Sequence, residues 1–195
     1  EENAKLDVAI RELILRTLEM KITCSIHENK RDVKPPSPYH DFVLLLSQIH
    51  EQPNNSASVL TFNYDLALDY AFHFCDIPFS YALPNFPENQ EAVSLLKLHG
   101  SLNWGHCNTC GSTSFWNLRK FASDPCWEIL QRDRVRMNFQ KTVTRCTLCD
   151  KELSRQPSII PPTWNKIQHY AEIESVWRKA AYALSEADNI FIIGY

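Results

Sequence analysis

The chain has 195 residues, 44 % of them hydrophobic and 22 % charged, with a formal net charge of −3 at pH 7. That is enough for one globular domain with a sizeable core, and the charge balance gives no reason to expect a nucleic-acid partner. No apolar run approaches the ~20 residues that span a bilayer, and residues 1 to 22 are charged throughout rather than patterned as a signal peptide, so no membrane is expected.

From residue 3 to about 22, Leu6, Ile10, Leu13, Ile14, Thr17 and Leu18 recur at helical spacing. The "KPPSP" loop interrupts, because proline lacks an amide donor and restrains its predecessor. A second helix is expected from about Tyr39 to Glu51. After the turn residues "QPNNSAS" comes a short apolar strand, Val59 to Phe62, then Asn63, Tyr64 and Asp65, and a helix from Leu66 to about Cys75. "LLKLHGSLNW" holds a second strand, Leu95 to His99, ended by Gly100. Ser158 to Ile160 form a third, closed by two prolines. A helix follows from about Lys166 to Glu186, with Tyr170, Ile173, Val176, Trp177, Ala180 and Leu184 on one face, and "NIFII" is the last strand.

Short apolar strands alternating with longer helices predict an α/β fold: a parallel sheet with helices on both faces. Ligands of open parallel sheets bind beyond the carboxyl ends of the strands. Asn63, His99, the segment 161–163 and Gly194 each follow a predicted strand, so they are expected to converge on one crevice.

Seven cysteines disfavour a disulfide framework, the count being odd. "CNTC" at 107 to 110 and "CTLC" at 146 to 149 have the spacing that turns two thiolates toward one ion, and two such pairs complete a four-sulfur zinc shell. Gly111 and Asp150 follow the pairs, where a knuckle needs a residue at positive φ. A four-cysteine site has no open position, so Cys107, Cys110, Cys146 and Cys149 would hold structural Zn2+; a pair of redox dithiols, or four unliganded cysteines, are the alternatives. The stretch between the pairs exceeds the usual ~20 residues, and an inserted helical piece, "FWNLRKF" and "CWEILQR", would account for the excess. Residues 111 to 145 also carry a local charge of +4. Cys24, Cys75 and Cys126 read as buried small residues.

Each polar residue at the strand ends has an ordinary explanation of its own. Asp65 can cap the following helix, His99 can be a hydrogen-bonded core histidine, and Trp104 and Trp164 can be packing. Taken together, "TFNYD", "LKLHGSLNW", the two CxxC pairs, "IIPPTWNK" and "ADNIFIIGY", in that order, resemble the sirtuin-like NAD-dependent family, and within it the divergent branch of NAD hydrolases, several of which act in antiviral defence. The resemblance covers residues 58 to 195; the first 50 match only as helices.

It implies a Rossmann-like α/β domain, residues 1–102 and 156–195, with a zinc-ribbon insert at 103–155. It implies that Asn63 orients the attacking water or the nicotinamide ribose, that His99 is the general base, and that Asp65 shapes the nicotinamide pocket. Thr61 and Gly194 join Asn63 and Asp65 in the NAD-binding set. The glycine-rich first turn of such domains is missing, as only Gly100, Gly105, Gly111 and Gly194 are present. The expectation is therefore a domain truncated at both ends, unable to turn over NAD by itself. "IIPPTWNK" stands where deacetylating members carry a Gly-Glu pair, which disfavours deacylation and favours hydrolysis.

The function expected is cleavage of the nicotinamide–ribose bond of NAD in the cytoplasm, with NAD as substrate and partner and with homo-oligomerisation left open. The alternatives are an NAD-dependent protein-lysine deacylase, a non-catalytic zinc-containing scaffold, and, on the local +4 alone, a zinc-ribbon nucleic-acid binder.

Overall fold

A computed structural model describes residues 2–26, 31–84, 91–131, 133–138, 145–154, 156–161 and 173–194. Its helices are α1 (Glu2–Lys21), α2 (Ser37–His50), α3 (Ala67–Phe74) and α4 (Glu174–Ser185). The first three lie within about two residues of their expected bounds. α2 starts early because Pro38 stands in its first turn, where a missing N–H costs nothing. Of the helix expected over 166–186, residues 166–172 lie outside the described residues.

The parallel sheet is present, with three strands: β3 (Ser58–Thr61), β4 (Phe79–Ser80) and β5 (Val93–Lys97), in the order β3-β5-β4. β3 and β5 run in register from Ser58↔Ser94 to Thr61↔Lys97. Leu95 and Leu96 are adjacent on the central strand, and both are fully buried. Successive strand residues point to opposite faces, so both faces of β5 are covered. Val43 of α2, Phe72 of α3 and Val176 and Ala180 of α4 share that core with β5. α3 also serves a second core, where its Tyr70 meets Leu15 of α1 and the flanking Leu66 meets residues of two antiparallel sheets.

Those two sheets correct the expected plan. One is four-stranded: β1 (Thr23–Ile26), β2 (Val33–Lys34), β8 (Trp127–Gln131) and β9 (Arg134–Met137), in the order β2-β1-β9-β8. Residues 115–121 and 126–132 were expected to be helical, but β8 and β9 form an antiparallel hairpin whose Val135 pairs with Cys24. Trp127, Val135 and Cys24 are all buried in the second core, and this long-range burial overrides local helix preference. Residues 116–121 form no helix either; Lys120 accepts the Val33 amide at 2.7 Å, and Phe121 bridges Asp32.

The other sheet contains β6 (Gly100–His106), β7 (Thr113–Phe115) and β10 (Pro157–Ile159), in the order β10-β6-β7. The third predicted strand therefore exists, one residue earlier, but runs antiparallel to β6 instead of joining the parallel sheet. Gly100 explains the departure. At φ +80° it turns the chain out of β5 straight into β6, and a Cβ there would lie 2.0 Å from the Ser158 carbonyl oxygen. Only a residue without a side chain allows β10 to come so close.

The last expected strand is absent. Asn189–Ile193 form no strand, and Ile190, Phe191, Ile192 and Ile193 are 61 to 91 % exposed. An apolar run becomes a strand only when an edge accepts its backbone hydrogen bonds, and none of the described residues does so here. Among the described residues no helix is long and apolar enough to cross a membrane.

Candidate functional site

The two CxxC pairs close into one cluster. The Sγ atoms of Cys107, Cys110, Cys146 and Cys149 all lie within 4.8 Å of one another. Cys107 and Cys149 are 3.5 Å apart, and Cys110 and Cys146 3.6 Å. Zn–S bonds of about 2.3 Å set the edge of a sulfur tetrahedron at about 3.8 Å, so the residues present fit such an ion.

The backbone that holds them is the same in both halves. The Cys107 amide donates to Ser112 O and the Gly111 amide to Cys107 O, both at 2.8 Å. At the same spacing the Cys146 amide donates to Lys151 O at 2.8 Å and the Asp150 amide to Cys146 O at 3.0 Å. Gly111 has φ +73° and Asp150 φ +56°, the left-handed conformation expected of both.

Acid–base behaviour points the same way. The Cys110 amide, opposed by burial and aided by the Thr109 amide, holds the Cys107 thiol below its ordinary value. Burial opposes ionisation of Cys146, but the Ser112 hydroxyl and the Cys149 and Leu148 amides outweigh it and bring the thiol to about 5. At Cys149 the Lys151 amide favours the thiolate, yet burial and the three neighbouring sulfurs push it up to about 12. The donors call for negative charge that crowded sulfurs cannot share, and a divalent cation resolves that conflict. Of the other cysteines, Cys24 and Cys126 are buried and Cys75 is half-buried.

The second constellation lies where β3 and β5 end. Thr61 and Lys97 are paired, and Asn63 and His99 each stand two residues beyond that pair, at the same end of neighbouring parallel strands. Asn63 is exposed and His99 half-buried. Phe62 and Tyr64, on either side of Asn63, hold their rings 4.9 and 6.0 Å from the His99 ring. Phe62 also lies 6.5 Å from Trp177 of α4.

Backbone bonds pin the loop. Thr61 O accepts the Leu98 amide at 2.8 Å, Thr61 Oγ1 accepts the Asn63 amide at 3.1 Å, and Tyr64 O accepts the Leu102 amide at 3.0 Å. The Tyr64 hydroxyl donates to Ile160 O at 2.7 Å, and the Ile160 amide donates to His99 O at 2.8 Å. Burial raises the Tyr64 hydroxyl above its ordinary value, with the Arg11 charge opposing.

Asp65 uses its carboxylate as a cap, accepting the Ala67 amide at 3.0 Å. Its charge also adds to burial in raising the Tyr39 hydroxyl, which places it toward α2. Pro161 is buried beside Ile160, while residues 162–166, Trp164 among them, lie outside the described residues. Gly194 has φ +85° and nothing within 4 Å of where a Cβ would be, in the exposed stretch after α4. No contact among the described residues brings it to Asn63 or His99.

One group escaped the sequence reading. Lys97, at the end of β5, is 1 % exposed and meets Asp69 of α3, itself fully buried, at 2.8 Å. Lys97 Nζ also donates to Asp65 O and, at 3.5 Å, to Tyr64 O. Asp69 accepts the Tyr81 hydroxyl at 2.5 Å, and Asn103 Nδ2 donates to that hydroxyl at 3.0 Å. A signal was available: each charge is isolated within an apolar element, "LLKLHG" and "ALDYAF", and buried charges need partners of opposite sign.

Comparison with known proteins finds no family model that matches the chain and no significant match among curated proteins.

Proposed function

We propose that this protein cleaves the nicotinamide–ribose bond of NAD and transfers the ADP-ribosyl group to water, on a Rossmann-like domain whose cysteine cluster holds a structural zinc ion. The observation that carries the proposal is the register of β3 and β5. It carries Asn63, which is exposed, and His99 to the same end of adjacent parallel strands, each two residues beyond the Thr61–Lys97 pair, where ligands of such sheets bind. The motif resemblance supports the same assignment.

The chemistry suits these groups. Nicotinamide leaves as a neutral molecule, so its departure needs little acid catalysis. The demands on the protein are to orient one water against the ribose carbon and to exclude others. Asn63 orients the water, and the His99 imidazole accepts the proton that the water loses. The products are nicotinamide, ADP-ribose and one proton. Phe62, 57 % exposed beside His99, offers an aromatic wall on the open side. Such a reaction in the cytoplasm depletes NAD, which is how a defence role would follow.

The test is to incubate the full-length protein with NAD, with and without an acetyl-lysine peptide, and to follow nicotinamide by chromatography. Release without peptide, reduced at least about a hundredfold in Asn63→Ala and His99→Ala, is the expected result. Release only with peptide would make the protein a deacylase. Absence of release and of NAD binding would leave the scaffold reading in its place.

A further inference from the structure

The geometry points to Lys97 as a positioning residue: its buried ammonium, neutralised by Asp69, holds the carbonyls of Tyr64 and Asp65 and so sets the turn that carries Asn63. The role rests on reading Asn63 and His99 as the pair that handles NAD.

A lysine ammonium has three donors and no acceptor. Here Asp69 Oδ2, Asp65 O and Tyr64 O receive them. A neutral strand residue could fill the same volume but would leave two carbonyls at the head of α3 without that donor. Hydrogen bonds to a charged donor are also shorter and stronger than neutral ones. The pair joins β5, through Lys97, to α3, through Asp69, and to the loop 62–65 that leads into α3, through its carbonyls.

What the loop lacks without Lys97 is visible in its other anchors. Asn63 lies between Thr61, tied to β5 by the Leu98 amide, and Tyr64, tied to β6 by the Leu102 amide. Asp65 is held at its carboxylate by the Ala67 amide and at its carbonyl by Lys97. Lys97 therefore acts on the two residues that follow Asn63, and it does so from the strand that carries His99 two residues later. A displacement of the turn by 1 Å is enough to cost a rate about a hundredfold.

The experiment uses Lys97→Met combined with Asp69→Asn in the full-length protein. The double variant leaves no uncompensated buried charge, and the asparagine keeps an acceptor for the Tyr81 hydroxyl. Amide hydrogen exchange reads the turn directly, because the Leu102 amide is bonded to Tyr64 O and the Ala67 amide to Asp65 Oδ1. Expected are at least tenfold faster exchange at these two amides with the interior of β5 unchanged, and a kcat for nicotinamide release at least tenfold lower with KM within about threefold. A merely structural role would loosen α3 and β5 together and leave kcat alone.

Lys97→Gln combined with Asp69→Asn likewise leaves no buried charge and keeps polar groups at both positions, and it should move the same two amides in the same direction by at least threefold if the first double variant does not fold. Unchanged exchange at Ala67 and Leu102 would overturn the role of Lys97. A wild-type protein that releases no nicotinamide would instead overturn the NAD reading, with the exchange result still deciding what Lys97 holds.

Discussion

The cysteine cluster and the strand-end residues Asn63 and His99 lie toward the two ends of β6, about 20 Å apart for seven extended residues, and they are placed by opposite means. Each knuckle is made within six residues: a CxxC, a left-handed residue, and two backbone bonds back to the first cysteine. Only the meeting of the two knuckles is a long-range event. The strand-end pair has no local part of that kind. Asn63 is placed by β5, β6 and β10, and His99 by the turn at Gly100 and the carbonyl contact with Ile160. A local motif survives wherever its few bonds form, whereas an assembled site depends on every element beneath it.

Three experiments would break or sharpen that contrast. The largest effect is expected from removing the ion. Elemental analysis should find about one zinc per chain, lost in Cys107→Ser, and structural zinc contributes ~10–16 kcal/mol of apparent binding energy in small peptides. Yet the damage should stop short of the whole stretch 103–155. Amides around 107–112 and 146–151 should lose exchange protection, while the β8–β9 hairpin keeps it through β1 and the second core. Loss of the hairpin together with the knuckles would mean that the ion supports far more than its own turns.

Next comes Gly100→Ala. Its added Cβ would meet Ser158 O at 2.0 Å in a left-handed conformation. A destabilisation of about 3 kcal/mol or more in urea unfolding is expected, with His99 displaced as β10 is pushed away. A neutral outcome would show that β10 is not what fixes His99. Smallest is Tyr64→Phe, which removes the hydroxyl that donates to Ile160 O. It should cost about 1 kcal/mol by the same measurement and leave the metal content unchanged.

The strand ends also show where legibility in the sequence stops. The backbone demands at Gly111 and Asp150 could be anticipated because a knuckle's geometry is imposed by its own residues, and both do lie at positive φ. Asn63 and His99 could be placed at strand ends because β3 and β5 are short apolar runs ended by a polar residue or a glycine. Lys97 and Asp69 each stand as a charge within an apolar run, which says that each needs a partner, but 28 residues separate them and nothing local to either names the other. The segment 126–132 reads as helical for a related reason, although Trp127–Gln131 is a strand of the hairpin. Its apolar residues satisfy a helical period as well as a strand, and only pairing of Val135 with Cys24 decides between them.

By itself, the sequence determined α1, α2, α3, the cores of β3 and β5, the two cysteine knuckles and the mixed α/β class. These follow from side-chain periodicity, proline and glycine sterics, and ligand spacing, all of which act over a few residues. Tertiary structure alone decided that Pro157–Ile159 lies antiparallel on β6, that Asn189–Ile193 forms no strand, and that a buried lysine reaches the carbonyls beside Asn63. Those outcomes turn on which edge offers free backbone groups and which charge must be neutralised when it leaves water, and both conditions exist only once distant segments have met.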